Sequence, residues 1–149
     1  MPRSLYFAYG SNMHLRMFRR RCPGAKPLGP ALLRGYRVEF TRYDRTRKGG
    51  VADIVPEPGA EVWGALYEID QSCFAALDDY EGAPRAYRRE TLRVIDGAGL
   101  EREAVTYVGN KTGDFAPSRQ YLAQITRGAR DHGLPEEYVR GLEETRTYA

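Results

Sequence analysis

The chain has 149 residues, a net charge of +3 and 42% hydrophobic content, which reads as a single domain over 1–149 with a proper core. Disorder is excluded by that composition, and no apolar run approaches membrane-spanning length. Of the 23 basic residues 20 are arginine, but the cluster Arg16, Arg19, Arg20 and Arg21 lies on one short helix and reads as a solvated face, not a nucleic-acid site.

In chain order, the apolar, aromatic run from Ser4 to Tyr9 predicts a strand. Gly10 interrupts it where the backbone can take a positive φ or approach a ligand closely. Ser11 and Asn12 are residues that favour N-caps, and a helix is expected from Met13 to Cys22. A strand running through a glycine turn into a helix leaves backbone N–H groups unpaired, and such a cluster attracts carboxylates and oxyanions. The apolar run Leu5–Tyr9 is too short for a signal peptide and leads straight into expected structure.

Extended stretches from Lys26 to Thr41 are broken at Gly29-Pro30 and Gly35. A charged loop follows from Tyr43 to Gly50, then a short strand Val51–Val55 turned at Pro56–Gly59. Val62–Ile69 is the most apolar strand, with Trp63 in the core and Gly64 marking a bulge or a close backbone approach. Asp70 can cap a helix over 71–80, which ends against Glu81-Gly82-Ala83-Pro84. Tyr87–Ile95 and Glu101–Val108 read as a hairpin. Pro117 opens a helix carrying Tyr121, Ile125 and Ala129 on one side until Gly133, and Pro135 starts the last. The order is α+β rather than a regular alternation.

The chemical inventory is narrow. Cys22 and Cys73 suit neither a disulfide framework nor a zinc site and read as inert thiols, with which a reducing, cytoplasmic setting is expected. His14 and His132 stand beside helix termini and are expected to be exposed, which disfavours a Ser-His-Asp or His-rich metal site. What remains is the acidic group Asp78-Asp79-Tyr80-Glu81 at a helix C-terminus. The helix dipole and mutual repulsion raise carboxylate pKa values there, towards those of a general base near neutrality. Among the 11 tyrosines, a few in a pocket would orient a polar substrate.

The run Leu5–Met13, Gly50-Val51-Ala52, Glu61-Val62-Trp63-Gly64 and Leu77 through Glu81-Gly82 resembles the signature of the γ-glutamylcyclotransferase family. Pro117–Tyr121 and Gly133–Tyr138 are similar to the tail of the animal enzyme. The resemblance covers nearly the whole chain in order. It implies a compact α+β fold built around a small mixed β-barrel with flanking helices. It also implies conversion of a γ-glutamyl-amino acid into 5-oxoproline and the free amino acid, with no cofactor and no metal. By the same resemblance Glu81 is the acid/base, and Tyr6, Phe7, Ala8, Tyr9, Gly10, Ser11 and Asn12 hold the γ-glutamyl group. Tyr87 and Tyr121 line the pocket, although the segment from Glu81 to Tyr87 is slightly shorter than in the animal enzyme. The implied partner is a small γ-glutamyl substrate, with no nucleic acid and no membrane, and a homodimer is left open. Two alternatives stand beside this: another γ-glutamyl donor, such as a γ-glutamylamine or a γ-glutamyl-protected antibiotic precursor, or a non-catalytic module binding nucleic acid through the arginine-rich helix.

Overall fold

Strands β1 (Ser4–Ala8), β2 (Lys26–Asp44), β3 (Gly49–Ile69), β4 (Tyr87–Ile95) and β5 (Glu101–Gly109) close a barrel in the order β1–β3–β2–β4–β5. The seam between β1 and β5 is parallel, pairing Tyr6 with Val105, and every other pairing is antiparallel. The expected small mixed barrel is therefore present. Around it lie a 3-10 turn (Ser11–Met13) and helices α1 (Leu15–Arg21), α2 (Gln71–Glu81), α3 (Arg119–Asp131) and α4 (Glu136–Glu143). The computed structural model describes residues 3–147. No described helix is long and apolar enough to cross a membrane.

The breaks expected in the middle of the chain are bends, not ends. β2 and β3 form one long hairpin from Lys26 to Ile69, and its register shifts between Pro27 and Gly29, Arg34 and Tyr36, and Phe40 and Arg42. Pro56–Gly59 does not reverse the chain: Pro56 still faces Tyr36 and Glu61 faces Arg34, so residues 57–60 bulge out between two paired stretches. Bulges of this kind add local twist and let long strands curl around a barrel. The charged loop shrinks to residues 45–48. Gly64 marks a close approach, since a Cβ there would lie 2.5 Å from the Ala8 carbonyl oxygen.

The core is aromatic. Phe18 and Tyr67 are fully buried with ring centroids 4.3 Å apart, and Tyr6 stacks on both. Each such ring contributes about 1.5–3 kcal/mol by leaving water. Trp63 packs against this core but is only partly buried. α1 begins two residues later than expected because His14, not Ser11 or Asn12, is its N-cap and accepts the Met17 N–H. Asp70 caps α2 by accepting the Cys73 N–H at 3.0 Å. Gly82 stops α2 in the left-handed region at φ 65°, which costs glycine nothing.

Two expectations about polar residues are corrected. Cys22 and Cys73 are not free thiols: they form a disulfide, with Cα atoms 5.2 Å apart, that ties the C-cap of α1 to the first turn of α2. Their separation of 51 residues conceals a proximity that the barrel creates. The expected cytoplasmic setting rested on free thiols, and the pairing removes that support. His132 is buried rather than exposed, within hydrogen-bond distance (2.9 Å) of the Tyr67 hydroxyl.

Candidate active site

A cavity of about 880 Å³ opens between the end of β1, the β2–β3 turn, the last turn of α2 and the first turns of α3. Glu81 reaches it because Asp70 and Gly82 fix where α2 starts and stops, which sets the face on which its final residue falls. Tyr6, Tyr9, Gly10, Ser11 and Asn12 line the same cavity. Tyr87 and Tyr121 complete the wall. Phe7 and Ala8 do not take part. Both are buried and absent from the cavity wall, and the two-residue period of a strand turns Phe7 to the face opposite Tyr6.

Gly10 has φ −119°, so its role is closeness and not a positive φ: a Cβ there would lie 3.2 Å from Ala52 Cβ and 3.7 Å from the Tyr121 hydroxyl. The N–H groups of Ser11 and Asn12 open a 3-10 turn and have no acceptor among the described residues. Their side chains serve the site instead of capping a helix. Asn12 Nδ2 donates to the Tyr6 hydroxyl at 2.9 Å, and Asn12 Oδ1 accepts from Arg21 at 2.7 Å. The Ser11 hydroxyl lies 3.5 Å from that of Tyr80.

Ala52 ties two tyrosines together. Its N–H donates to Tyr121 Oη at 3.0 Å, and its carbonyl accepts from Tyr87 Oη at 2.7 Å. Tyr87 therefore spends its one proton on the barrel, whereas Tyr121 keeps its own for the cavity. Tyr6 also keeps its proton, and Tyr9 gives its to the Tyr107 carbonyl. Burial pushes the phenols of Tyr6, Tyr9, Tyr87 and Tyr121 well up, so all four stay neutral.

Among the described residues the Glu81 carboxyl has no hydrogen-bond or ion-pair partner. Loss of water at the cavity wall pushes its pKa up to about 7, with the Asp53 carboxylate adding to the rise and Arg21 and Arg47 opposing it. This corrects the cause expected from the sequence. The neighbouring acids do not drive the shift: burial does, and the carboxylate that adds to it is Asp53 rather than Asp78 or Asp79. Asp78 is paired with Arg89 at 2.7 and 2.8 Å and with the Tyr107 hydroxyl at 2.6 Å. No group of three or more His, Cys, Asp or Glu among the described residues is placed to hold a metal ion.

An AIG2-like family model matches residues 61–142, more than half of the chain. The γ-glutamylcyclotransferase of Homo sapiens is 34% identical over 143 residues, covering 93% of this chain and 76% of the human protein. That of Mus musculus is 33% identical with the same coverage. The chain belongs to the γ-glutamylcyclotransferase family. A solved structure described as a gamma-glutamyl cyclotransferase superposes with a TM-score of 0.95 at 31% identity, covering 99% of this chain and 90% of that one.

Beyond the residues that the γ-glutamylcyclotransferase resemblance pointed to, the cavity depends on Asp53 and Arg47, which the sequence did not single out, and on Arg21. The expected place of Arg21 on a solvated arginine face is corrected, because its guanidinium donates to Asn12 Oδ1 and stacks on Tyr80. Asp53 is buried and accepts from Thr41 Oγ1 at 2.6 Å and from the N–H groups of Ile54 and Gly109 at 2.8 and 2.7 Å, locking β2, β3 and the end of β5 behind the site. An aspartate inside the apolar run Val51–Val55 was the available signal. Arg21 stacks on the Tyr80 ring with its guanidinium carbon 3.4 Å from the centroid. Arg47 reaches across from the β2–β3 turn, and nothing in the local pattern distinguishes it from the other arginines.

Proposed function

We propose that this chain is a γ-glutamylcyclotransferase that converts a γ-glutamyl-amino acid into 5-oxoproline and the free amino acid, with Glu81 as general base and then general acid. The observation that carries this reading is Glu81 itself: an unpartnered carboxyl, raised to about 7, on the wall of a cavity shared with Ser11, Asn12 and Tyr121. A carboxylic acid near neutrality can both accept and return a proton at physiological pH.

In the proposed reaction the substrate's α-amine attacks the γ-carbonyl carbon in its neutral form, a C–N bond forms, and the carbonyl electrons move onto oxygen. As that bond forms, Glu81 takes one proton from the attacking nitrogen, which leaves it with the single N–H of the lactam. The free N–H groups of Ser11 and Asn12 and the hydroxyl proton of Tyr121 are the available donors for that oxyanion. Glu81 then gives its proton to the γ-nitrogen, the bond to the leaving amine breaks, and the five-membered lactam is released. Holding the glutamyl chain folded back supplies much of the acceleration, because ring closure is intramolecular.

The test is release of 5-oxoproline from a panel of γ-glutamyl-amino acids by the purified protein, compared with Glu81→Gln. No release from any member, with the protein folded, overturns the reading.

A further inference from the structure

The cavity has two unlike ends. Tyr6, Tyr9, Ser11, Asn12, Tyr87 and Tyr121 make a buried end, whereas Tyr43, at 49% exposure, and Tyr80, at 38%, mark a rim with Thr46 and Lys48. A γ-glutamyl group that must fold into a ring belongs in the buried end, and the departing amine belongs at the rim.

One side chain spans that rim. Arg47 lies on the β2–β3 turn, where the N–H groups of Thr46 and Arg47 both donate to Asp44 Oδ1, at 2.8 and 3.1 Å. Its guanidinium donates through Nη2 to Tyr80 Oη at 2.6 Å on α2, and through Nη1 to Gln124 Oε1 on α3. Its carbon lies 5.0 Å from the centroid of the Tyr121 ring. Both hydrogen-bond partners are neutral, and no carboxylate among the described residues is within ion-pair distance. Two of five N–H donors are used, so three remain, including Nε–H. A planar, fixed, uncompensated guanidinium at the rim of a cavity is a receptor for a carboxylate.

We infer that Arg47 binds the carboxylate of the departing amino acid and so selects γ-glutamyl-amino acids over γ-glutamylamines, which lack that group. The inference rests on the proposed cyclotransferase reading. The turn and the two neutral partners hold the guanidinium in place, so binding needs little further ordering of the side chain.

The matched substrates are γ-glutamyl-alanine and γ-glutamyl-ethylamine, which differ by the carboxylate alone. With the native protein, kcat/KM for 5-oxoproline release favours γ-glutamyl-alanine by about 10-fold or more. The preference shrinks as ionic strength rises. In Arg47→Met the ratio of the two kcat/KM values falls by about 10–100-fold, mainly through KM for γ-glutamyl-alanine, and Arg47→Lys restores part of it. Arg47 also lowers the pKa of Glu81, but that effect acts on both substrates and cancels in the ratio. Equal losses on both substrates in Arg47→Met, or no preference in the native protein, overturn the inference. Failure of the native protein to release 5-oxoproline from either substrate is a different result and removes the cyclotransferase reading itself.

Discussion

The hydroxyl of Tyr121 accepts the backbone N–H of Ala52 at 3.0 Å and has no acceptor for its own proton among the described residues. A tyrosine held this way is both a structural acceptor and a donor aimed by the barrel. Tyr121→Phe is therefore expected to lower kcat/KM by about 1–3 kcal/mol, because a developing charge loses its partner. It is also expected to cost about 1–2 kcal/mol of stability, because the buried Ala52 N–H is orphaned. Steady-state kinetics and a denaturant melt on the one variant check both. A normal kcat/KM in a destabilised variant makes the tyrosine purely structural.

Tyr87 offers the contrast, because its proton already goes to the Ala52 carbonyl at 2.7 Å. Tyr87→Phe should cost a similar about 1–2 kcal/mol of stability. Its loss in kcat/KM should be smaller than that of Tyr121→Phe, since no donor to the substrate is removed. The ranking of the two variants, measured side by side, is the readout.

Glu81→Gln is expected to slow turnover by about 10²–10⁴-fold. The same change should stabilise the fold above neutrality. Between pH about 4.5 and about 7 the folded chain still holds the Glu81 proton that the unfolded chain has released, so native stability falls as pH rises through that window. Glutamine does not titrate and escapes the loss, which amounts to about 1–3 kcal/mol once both states are ionised. Chemical denaturation at pH 4 and pH 8 checks the sign: the variant's advantage should be larger at pH 8.

The Cys22–Cys73 bond closes a loop of 51 residues that contains β2 and β3. Reduction, or Cys22→Ser with Cys73→Ser, is expected to cost about 2–4 kcal/mol, chiefly by freeing the unfolded chain. A melt with and without reductant measures this, and an unchanged midpoint after thiol counting confirms reduction would exclude it.

Much of the site was legible because its signals are local. Capping by Asp70, the stop at Gly82 and the apolar spacing of Cys73, Phe74 and Leu77 place Glu81 at the end of α2 within a dozen residues of sequence. The run from Ser4 into Gly10 likewise announces a strand that ends in a turn with free N–H groups. The middle of the chain was less legible. Gly29, Gly35 and Pro56–Gly59 carry turn chemistry, yet here they bend strands, because a bulge and a turn use the same residues and only the partner strand decides between them.

By itself, then, the sequence determined the helices, the outer strands, the α+β class and the membership of the family, and it pointed to Glu81 as the candidate acid. Helical and strand periods, caps and stops act over a few residues and need no knowledge of the rest. The tertiary structure alone decided what surrounds that acid. The disulfide spans 51 residues, the Ala52–Tyr121 bond 69, and the contacts of Arg47 with Tyr80 and Gln124 span 33 and 77. Barrel closure sets these pairings. It also sets the burial that raises Glu81, because the removal of water from a side chain depends on every element packed around it and not on its neighbours in the chain.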